Sequence, residues 1–237
     1  IANIGERSDN EFHCEILLRM QAKDGTLHLP GEFMPAAERY GLIGKIDRWV
    51  VTNVIAWLEN LSLSPQQRLC ININLSGVTV SDDSFQTFLH QALADSQVLA
   101  NHLCFEITES AAMGNAGRTI AFLNEIRDIG CRVALDDFGT GFSSLSQVKQ
   151  LPLDYIKIDG VFIQGLVKSR LDRALVRCVA DFASILDVRT VAEFVESEEV
   201  CEVLKELNID YAQGYLFGKP APLGDIEEAL NSGRFAA

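Results

Sequence analysis

The chain has 237 residues, of which 48% are hydrophobic and 22% are charged, as is ordinary for a globular protein. This length suits one barrel or two small domains. The net charge of −13, from 20 basic and 33 acidic residues, argues against a broad nucleic-acid surface, which needs clustered lysine and arginine. An acidic protein binds a phosphate ligand only if metal ions or a few placed basic groups offset the repulsion.

Two further features of the sequence concern the cellular compartment. No apolar run approaches the roughly 18 residues that a membrane span needs, and residues 1–10 lack the apolar core of a signal peptide. The six cysteines form no Cys-x-x-Cys pair, which disfavours a zinc ribbon or a disulfide framework. We therefore expect reduced, mostly buried thiols in a cytoplasmic protein, and no membrane contact by this domain.

Apolar runs alternate with amphipathic segments along the whole chain. Strands are predicted at residues 12–20, 70–76, 104–110, 133–135, 155–159, 188–196 and 211–217. Helices are predicted at 33–40, 43–58, 82–94, 118–129, 143–151, 162–186 and 225–230, with another beginning at Ser197 and with Gly130 as a C-terminal cap. This alternation predicts a parallel sheet covered by helices.

Most of the predicted strands carry a polar residue at or near the end. These residues are Glu15, Asn74, Glu106, Asp136, Lys157, Glu193 and Gln213. In a (β/α)8 barrel all such strand ends meet at one face, which holds the active site. A doubly wound sheet would spread them along a line instead. Because a converging set of carboxylates explains the pattern better, the sequence favours the barrel.

The fourth predicted strand, Val133 to Leu135, runs into two adjacent carboxylates, Asp136 and Asp137. Taken alone, this Asp-Asp-Phe-Gly-Thr-Gly stretch is typical of a solvated turn. Two adjacent acids at a buried strand end are stable if cations lie between them or water reaches them freely. Gly139 and Gly141 let the following loop bend tightly over a site.

The predicted cluster contains six oxygen-bearing side chains, with Lys157 in reach. They belong to Glu15, Asn74, Glu106, Asp136, Asp137 and Glu193. Oxygen ligands select Mg²⁺, Mn²⁺ or Ca²⁺ over Zn²⁺. A single acid of this kind is more often a salt-bridge partner, but five acids at successive strand ends are hard to explain in that way. Five carboxylates are also more than one divalent ion needs. Two ions sharing an aspartate would balance them, and such sites commonly drive in-line attack on a phosphodiester.

The chain resembles the EAL domain family, the cyclic di-GMP phosphodiesterases of bacterial second-messenger signalling. Glu15-Ile-Leu-Leu-Arg19 is similar to the Glu-x-Leu-x-Arg motif of that family. The other matching blocks, in the family's order, are 33–38, 41–43, 46–47, 74–76, 105–109, 136–144, 151–152, 157–159, 192–193, 195–196 and 213–217. The resemblance implies a TIM-like (β/α)8 barrel, modified by an irregular or antiparallel first strand and trimmed at the N-terminus.

The resemblance also implies a role for each matching position. One metal would be bound by Glu15, Asn74, Glu106 and Asp136, and the second by Asp136, Asp137 and Glu193. Lys157 would orient the attacking water, while Leu17, Arg19, Gln213 and Glu196 would lie on the substrate side. Glu109 would steady the loop 136–144, which in the family couples dimerisation to metal binding. Family members hydrolyse cyclic di-GMP to linear pGpG with Mg²⁺ or Mn²⁺.

Three departures from the family pattern stand out. Ile16 replaces the usual alanine beside Glu15, and Phe194 stands where glycine is more usual, which could alter the wall of the site. At the start, only Ile1-Ala-Asn-Ile4 corresponds to a usual first strand, whose substrate-contacting glutamine is missing. We therefore expect residues 1–237 to be an EAL domain from a larger protein with sensory or GGDEF domains upstream, acting as a homodimer.

Two alternatives remain open from the sequence. A catalytically inactive cyclic di-GMP receptor would bind the nucleotide without turnover, although such domains lose the metal ligands or the Asp-Asp-Phe-Gly-Thr-Gly loop that are kept here. A different metal-dependent barrel enzyme, such as an enolase-like lyase, would also use Lys157 and several carboxylates. The loop and the block around Gln213 do not suggest a lyase.

Overall fold

The computed structural model describes residues 1–5, 11–61, 68–141 and 145–231. Ten strands lie within these ranges. They are β1 Ala2–Asn3, β2 Glu11–Glu15, β3 Met20–Gln21, β4 Leu27–His28, β5 Arg68–Asn74, β6 Leu103–Thr108, β7 Arg132–Phe138, β8 Tyr155–Ile158, β9 Arg189–Ala192 and β10 Tyr211–Ala212. Strands β3 and β4 form a separate antiparallel pair, and the other eight share one sheet.

Helices occupy most of the connections between strands in the described ranges. They are α1 Pro30–Arg39, α2 Ile43–Asn60, α3 Gly77–Val80, α4 Asp83–Ala94, α5 Glu109–Gly114, α6 Ala116–Ile129, α7 Leu145–Val148, α8 Gly160–Gln164, α9 Arg170–Ile185, α10 Glu198–Glu206 and α11 Leu223–Asn231. A single 3₁₀ turn, Ala100–His102, precedes β6. None of the described helices combines the length and the apolar character that crossing a bilayer requires.

The main sheet curls into a nearly closed barrel. Its strand order is β1-β10-β9-β8-β7-β6-β5-β2, and all neighbours are parallel except β1 and β10. At the seam between the two edge strands, the amino group of Ile1 donates a hydrogen bond to the backbone oxygen of His13 at 3.1 Å. The predicted barrel with an antiparallel first strand is therefore confirmed.

The central strands are buried on both faces, as parallel barrel strands are when helices cover the outside. Outward-facing Ile71, Phe105 and Leu135 lie in the main hydrophobic cluster with Val54 of α2 and Phe122 of α6. A smaller cluster fills the barrel interior. It consists of Cys70, Cys104, Ala134, Tyr155, Val191 and Tyr211. The polar residues of the site lie next to this interior cluster, toward the carboxyl ends of the strands.

Several predicted elements have other bounds in the structure; the strand predicted at 188–196, for example, covers only Arg189–Ala192. The first strand ends at Glu15, so Arg19 lies outside it and the two side chains do not share a strand face. The predicted helix 162–186 is two helices, because the Ser169 side chain accepts a hydrogen bond from Asp172 N at 3.1 Å and caps a new start. The last strand covers only residues 211–212, and a turn follows Gln213.

Candidate metal centre

The polar side chains predicted at strand ends converge at the carboxyl end of the barrel. The period-two alternation of β5, β6, β7 and β8 turns Asn72, Glu106, Asp136 and Lys157 inward, while Glu193 and Gln213 directly follow β9 and β10. Because neighbouring parallel strands end at the same level, residues far apart in sequence meet here. Gln213 and Glu15, for example, are 198 positions apart and share a hydrogen bond.

Lys157 lies at the centre of this group and is 0% exposed. Its Nζ lies 2.8 Å from Glu106 Oε2, 2.9 Å from Glu193 Oε1, 3.1 Å from Asp136 Oδ1 and 3.3 Å from Glu15 Oε2. Burial alone would lower the pKa of Lys157, but the surrounding carboxylates raise it well above its ordinary value. The ammonium group is therefore charged and holds four acids around one point.

Glu15 is fixed at both carboxylate oxygens. Asn74 Nδ2 donates to Oε1 at 2.7 Å, and Gln213 Nε2 donates to Oε2 at 2.6 Å. Burial raises the pKa of Glu15, but the charge of Lys157 and these two hydrogen bonds outweigh it, so the net pKa is lowered. Glu15 is thus held as a carboxylate in one orientation.

Asp136, Asp137 and Glu193 form a second group of acids beside Lys157. They offer carboxylate oxygens that all lie within 4.8 Å of one another. The register between β7 and β8 shifts here, and Asp137 adopts a left-handed backbone with φ 55°. This irregularity lets two consecutive aspartates serve the same site, although successive strand residues normally point to opposite faces.

The acids in the centre repel one another in the absence of added cations. Burial, followed by the charge of Asp136, raises the pKa of Asp137. Burial and the charge of Asp136 also raise the pKa of Glu193 to about 7, although Lys157 acts in the opposite direction. Burial also raises the pKa of Glu106 well above its ordinary value. In addition, Asp136 Oδ1 is buried and accepts no hydrogen bond within the described residues, and the cation it contacts, Lys157 at 3.1 Å, is shared with three other acids. Hard divalent cations fit these donors, since they would supply the missing positive charge and bind that oxygen.

Glu109, at the start of α5, holds the loop after β7. Its Oε2 accepts hydrogen bonds from Gly139 N at 2.9 Å and Gly141 N at 3.3 Å. A Cβ added at Gly141 would lie 2.4 Å from Glu109 Oε1, and one at Gly139 would lie 2.7 Å from the ring of Phe162. Both glycines are therefore required for the close approach. The rest of the predicted loop, residues 142–144, lies outside the described residues.

Three predicted site residues lie apart from the hydrogen-bonded cluster. Leu17 is exposed, and Arg19 donates through Nη1 to Leu18 O at 2.8 Å. Both follow Glu15 directly and so emerge at the same end of the barrel. Glu196 is exposed, three positions after Glu193. Their predicted contacts with substrate remain predictions.

The structure also brings in residues to which no role was assigned from the sequence. Asn72 donates through Nδ2 to Glu106 Oε1 at 2.6 Å. Asp159, which caps α8, adjoins Asp137 and contributes to its raised pKa. Buried Asp47 accepts hydrogen bonds from Ser76 Oγ at 2.6 Å and Thr79 Oγ1 at 2.5 Å, which fixes the turn after Asn74. Asn72 could have been found from the sequence, because it lies two positions before Asn74 and so faces the same side of β5. Asp47 could not, because it lies on a separate helix, α2.

Comparison with known proteins places the chain in one family. A family model described as the EAL domain matches residues 4–220. Cyclic di-GMP phosphodiesterase PdeB of Shewanella oneidensis is 38% identical over 98% of this chain and 27% of that protein. Cyclic di-GMP phosphodiesterase PdeF of Escherichia coli is 41% identical over 93% of this chain and 29% of that protein.

The fold agrees with this similarity. The structure of the PaMucR phosphodiesterase in complex with c-di-GMP superposes with a TM-score of 0.81 at 34% identity. It covers 90% of this chain and 86% of that one. The chain spans less than a third of the length of the two curated relatives, but the match extends over almost all of the barrel. The chain therefore belongs to the EAL domain family.

Proposed function

We propose that this chain hydrolyses cyclic di-GMP to linear pGpG with two divalent cations, Mg²⁺ or Mn²⁺. The observation that carries the proposal is the convergence of five carboxylates around a single buried lysine. A net acidic site of this kind repels a cyclic dinucleotide with two phosphodiesters unless cations are bound. The relatives named as phosphodiesterases and the neighbour solved with c-di-GMP support this substrate.

The side chains divide naturally into two sets of candidate metal ligands. Glu15, Asn74, Glu106 and Asp136 would hold one cation, and Asp136, Asp137 and Glu193 would hold the other. When bound, the cations would neutralise developing charge on the phosphate and lower the pKa of a water for in-line attack. Asp136 is proposed as the shared ligand because, like Glu15 and Glu106, it contacts Lys157, and its carboxylate also lies within 4.8 Å of those of Asp137 and Glu193.

Other residues of the chain would position the reactants. Lys157 presents a charged ammonium group at the centre of the ligands, where it can orient the attacking water. Gln213 fixes Glu15 and keeps a buried Oε1 without a partner, which can accept a hydrogen bond from the substrate. Arg19, Leu17 and Glu196 are proposed to contact the nucleotide at the rim. Glu109 holds the described part of the loop that follows Asp137.

The test is hydrolysis of cyclic di-GMP by the purified chain with Mn²⁺ or Mg²⁺, followed by chromatography of the product. We expect pGpG from the wild-type chain and none from Glu15→Ala, which loses a candidate ligand held by three partners. Glu199→Ala, which removes an exposed acid from α10, is the matched control and should retain the wild-type rate. Nucleotide binding without turnover in either metal would identify a receptor module instead, and absence of binding would contradict both functions.

A further inference from the structure

A buried amide lies directly beneath the candidate metal centre and is absent from the predicted ligand set. Asn72 is on β5, two residues before Asn74, and only 3% of it is exposed. Its Nδ2 donates to Glu106 Oε1 at 2.6 Å, and its Oδ1 accepts from Cys70 Sγ at 3.5 Å. Because the thiol engages the amide oxygen, the NH₂ group is the end that faces Glu106.

Because of this contact, the two carboxylate oxygens of Glu106 have different partners. Oε1 is bound by Asn72, while Oε2 lies 2.8 Å from Lys157 Nζ at the centre of the acidic cluster. Glu106 is 0% exposed, so water does not compensate for a lost donor. Glu15 is held by groups that themselves line the site, whereas Glu106 is anchored from below by a residue whose other partner is the interior thiol of Cys70.

We propose that Asn72 is a positioning residue for the metal centre, which orients Glu106 so that Oε2 faces the cation. This inference rests on the metal centre of the proposed function. Side chains that hydrogen-bond a metal ligand fix its orientation, and their loss typically weakens metal affinity about 10–100-fold. Asn72 has the required burial, distance and second partner, and its partner Glu106 in turn contacts the central lysine of the cluster.

The experiment measures Mn²⁺ binding to the protein without nucleotide by titration calorimetry. We expect Asn72→Leu, which keeps the branched shape and the number of heavy atoms but removes the donor, to weaken one of two Mn²⁺ sites about 10–100-fold. The site formed by Asp136, Asp137 and Glu193 should keep its affinity, because the side-chain hydrogen bonds of Asn72 go to Glu106 and Cys70. General loss of structure would weaken both sites together, so the isotherm separates positioning from misfolding.

A matched control tests the cost of losing any buried hydrogen bond. Thr190 is 1% exposed on β9, and its Oγ1 donates to Asp210 Oδ2 at 2.9 Å, away from the acidic cluster. Thr190→Val should lower the midpoint of thermal unfolding but leave both Mn²⁺ affinities unchanged. Asn72→Ser, which also lacks the amide, is a second variant should Asn72→Leu fail to fold, and it should weaken the same site.

The possible outcomes distinguish this inference from the proposed function. Wild-type Mn²⁺ affinities in a folded Asn72→Leu or Asn72→Ser protein would overturn the role of Asn72 and leave the metal centre intact. Equal weakening of both sites would also overturn it, since the effect would then be structural. A wild-type chain that binds no Mn²⁺ would overturn the metal centre itself, and with it the positioning role.

Discussion

The two ends of the barrel both carry dense charge, but they balance it differently. At the amino ends of the strands, a cavity of about 270 Å³ is lined by three arginines and three acids. These are Arg68, Arg132 and Arg189 with Glu11, Asp154 and Asp187. At the carboxyl ends, five acids surround one lysine. These are Glu15, Glu106, Asp136, Asp137 and Glu193 around Lys157.

At the amino ends, called here the balanced end, acids and bases are equal in number and Glu11 is paired directly with an arginine. Glu11 accepts hydrogen bonds from Arg132 Nη2 at 2.7 Å and from Nη1 at 2.5 Å, a bidentate pair that ties β2 to β7 across the barrel. Burial raises the pKa of Glu11, but hydrogen bonds from His13 and Arg132 lower it overall. At the other end, burial and neighbouring acids raise the pKa of Glu193 and Asp137. At the amino end Glu11 thus has its own arginine, whereas at the carboxyl end several acids share one lysine, which is why we propose that cations bind there.

The two ends of the barrel also differ in backbone strain. Near the amino ends, the described non-glycine residues with positive φ are Asp187 and Asn208, each of which follows the C-terminal cap of a helix, α9 or α10. Aspartate and asparagine tolerate this conformation well. At the carboxyl ends the corresponding residues are Asp137 and Phe194. A bulky aromatic residue with φ 53° is an outlier, and such outliers cluster at functional sites.

The largest predicted effect is that of neutralising an acid at the carboxyl end. Asp136→Asn removes the proposed shared ligand, so hydrolysis of cyclic di-GMP should fall by more than about 100-fold, the upper range for losing a residue that only supports a ligand. The metal-free protein should nevertheless be at least as stable as wild type, because one of several repelling charges is gone. Urea unfolding in a chelator measures this, and a clear loss of stability would contradict the imbalance of charge.

Removing the lysine should have the opposite effect on stability. Lys157→Met leaves four buried acids without their common cation, and breaking a buried pair in this way typically costs about 3–5 kcal/mol. The loss in free energy of unfolding should be largest in chelator and should shrink when Mn²⁺ is added. If Mn²⁺ has no effect on the stability of Lys157→Met, the acids do not form a cation site.

A third variant tests the balanced end. Glu11→Gln should lower the free energy of unfolding by about 1.5–3 kcal/mol, because a hydrogen-bonded charge pair is lost, and should leave Mn²⁺ affinity unchanged. The lowered pKa of Glu11 means that its contribution is present above the unfolded value near 4.5 and is lost as pH falls. Wild-type stability should therefore decline more steeply than that of Glu11→Gln on acidification. A change in Mn²⁺ affinity would show that the two ends are coupled.

The sequence alone predicts the unbalanced end better than the balanced one. Period-two alternation and the regular recurrence of strands place Glu106, Asp136 and Lys157 at one face of a barrel without any contact information. No local pattern pairs Glu11 with Arg132, because these residues are 121 positions apart and each also suits a solvent-exposed strand start. Such pairs depend on how far neighbouring strands are staggered, which three-dimensional packing decides.

The same limit explains the errors and omissions within the site. The apolar run predicts one strand over residues 12–20 that includes both Glu15 and Arg19, but the strand ends at Glu15, whose carboxylate bonds to Asn74, Gln213 and Lys157. The alternation of β5 places Asn72 on the same face as Asn74, but only the structure shows that Asn72 donates a hydrogen bond to Glu106. Residue type and spacing thus indicated which side chains gather, and the fold decided which of them touch.

The smallest predicted effect concerns backbone strain at the carboxyl end. Phe194 is 57% exposed and its ring lies against Gly160, so both Phe194→Ala and Phe194→Gly lose the same modest packing. Alanine keeps the cost of a left-handed backbone, whereas glycine does not. Phe194→Gly should therefore be the more stable of the two by about 1 kcal/mol, after allowance for the greater freedom of glycine in the unfolded chain.

A matched pair on a regular helix shows what the result at Phe194 means. At Leu175 in α9, glycine should be less stable than alanine by about 1 kcal/mol, the usual helix preference. Opposite signs at the two positions, measured by urea unfolding in chelator, would locate stored strain next to the candidate ligand Glu193. If glycine is the less stable residue at both positions, the left-handed turn at Phe194 carries no cost, and the two ends of the barrel differ in charge alone.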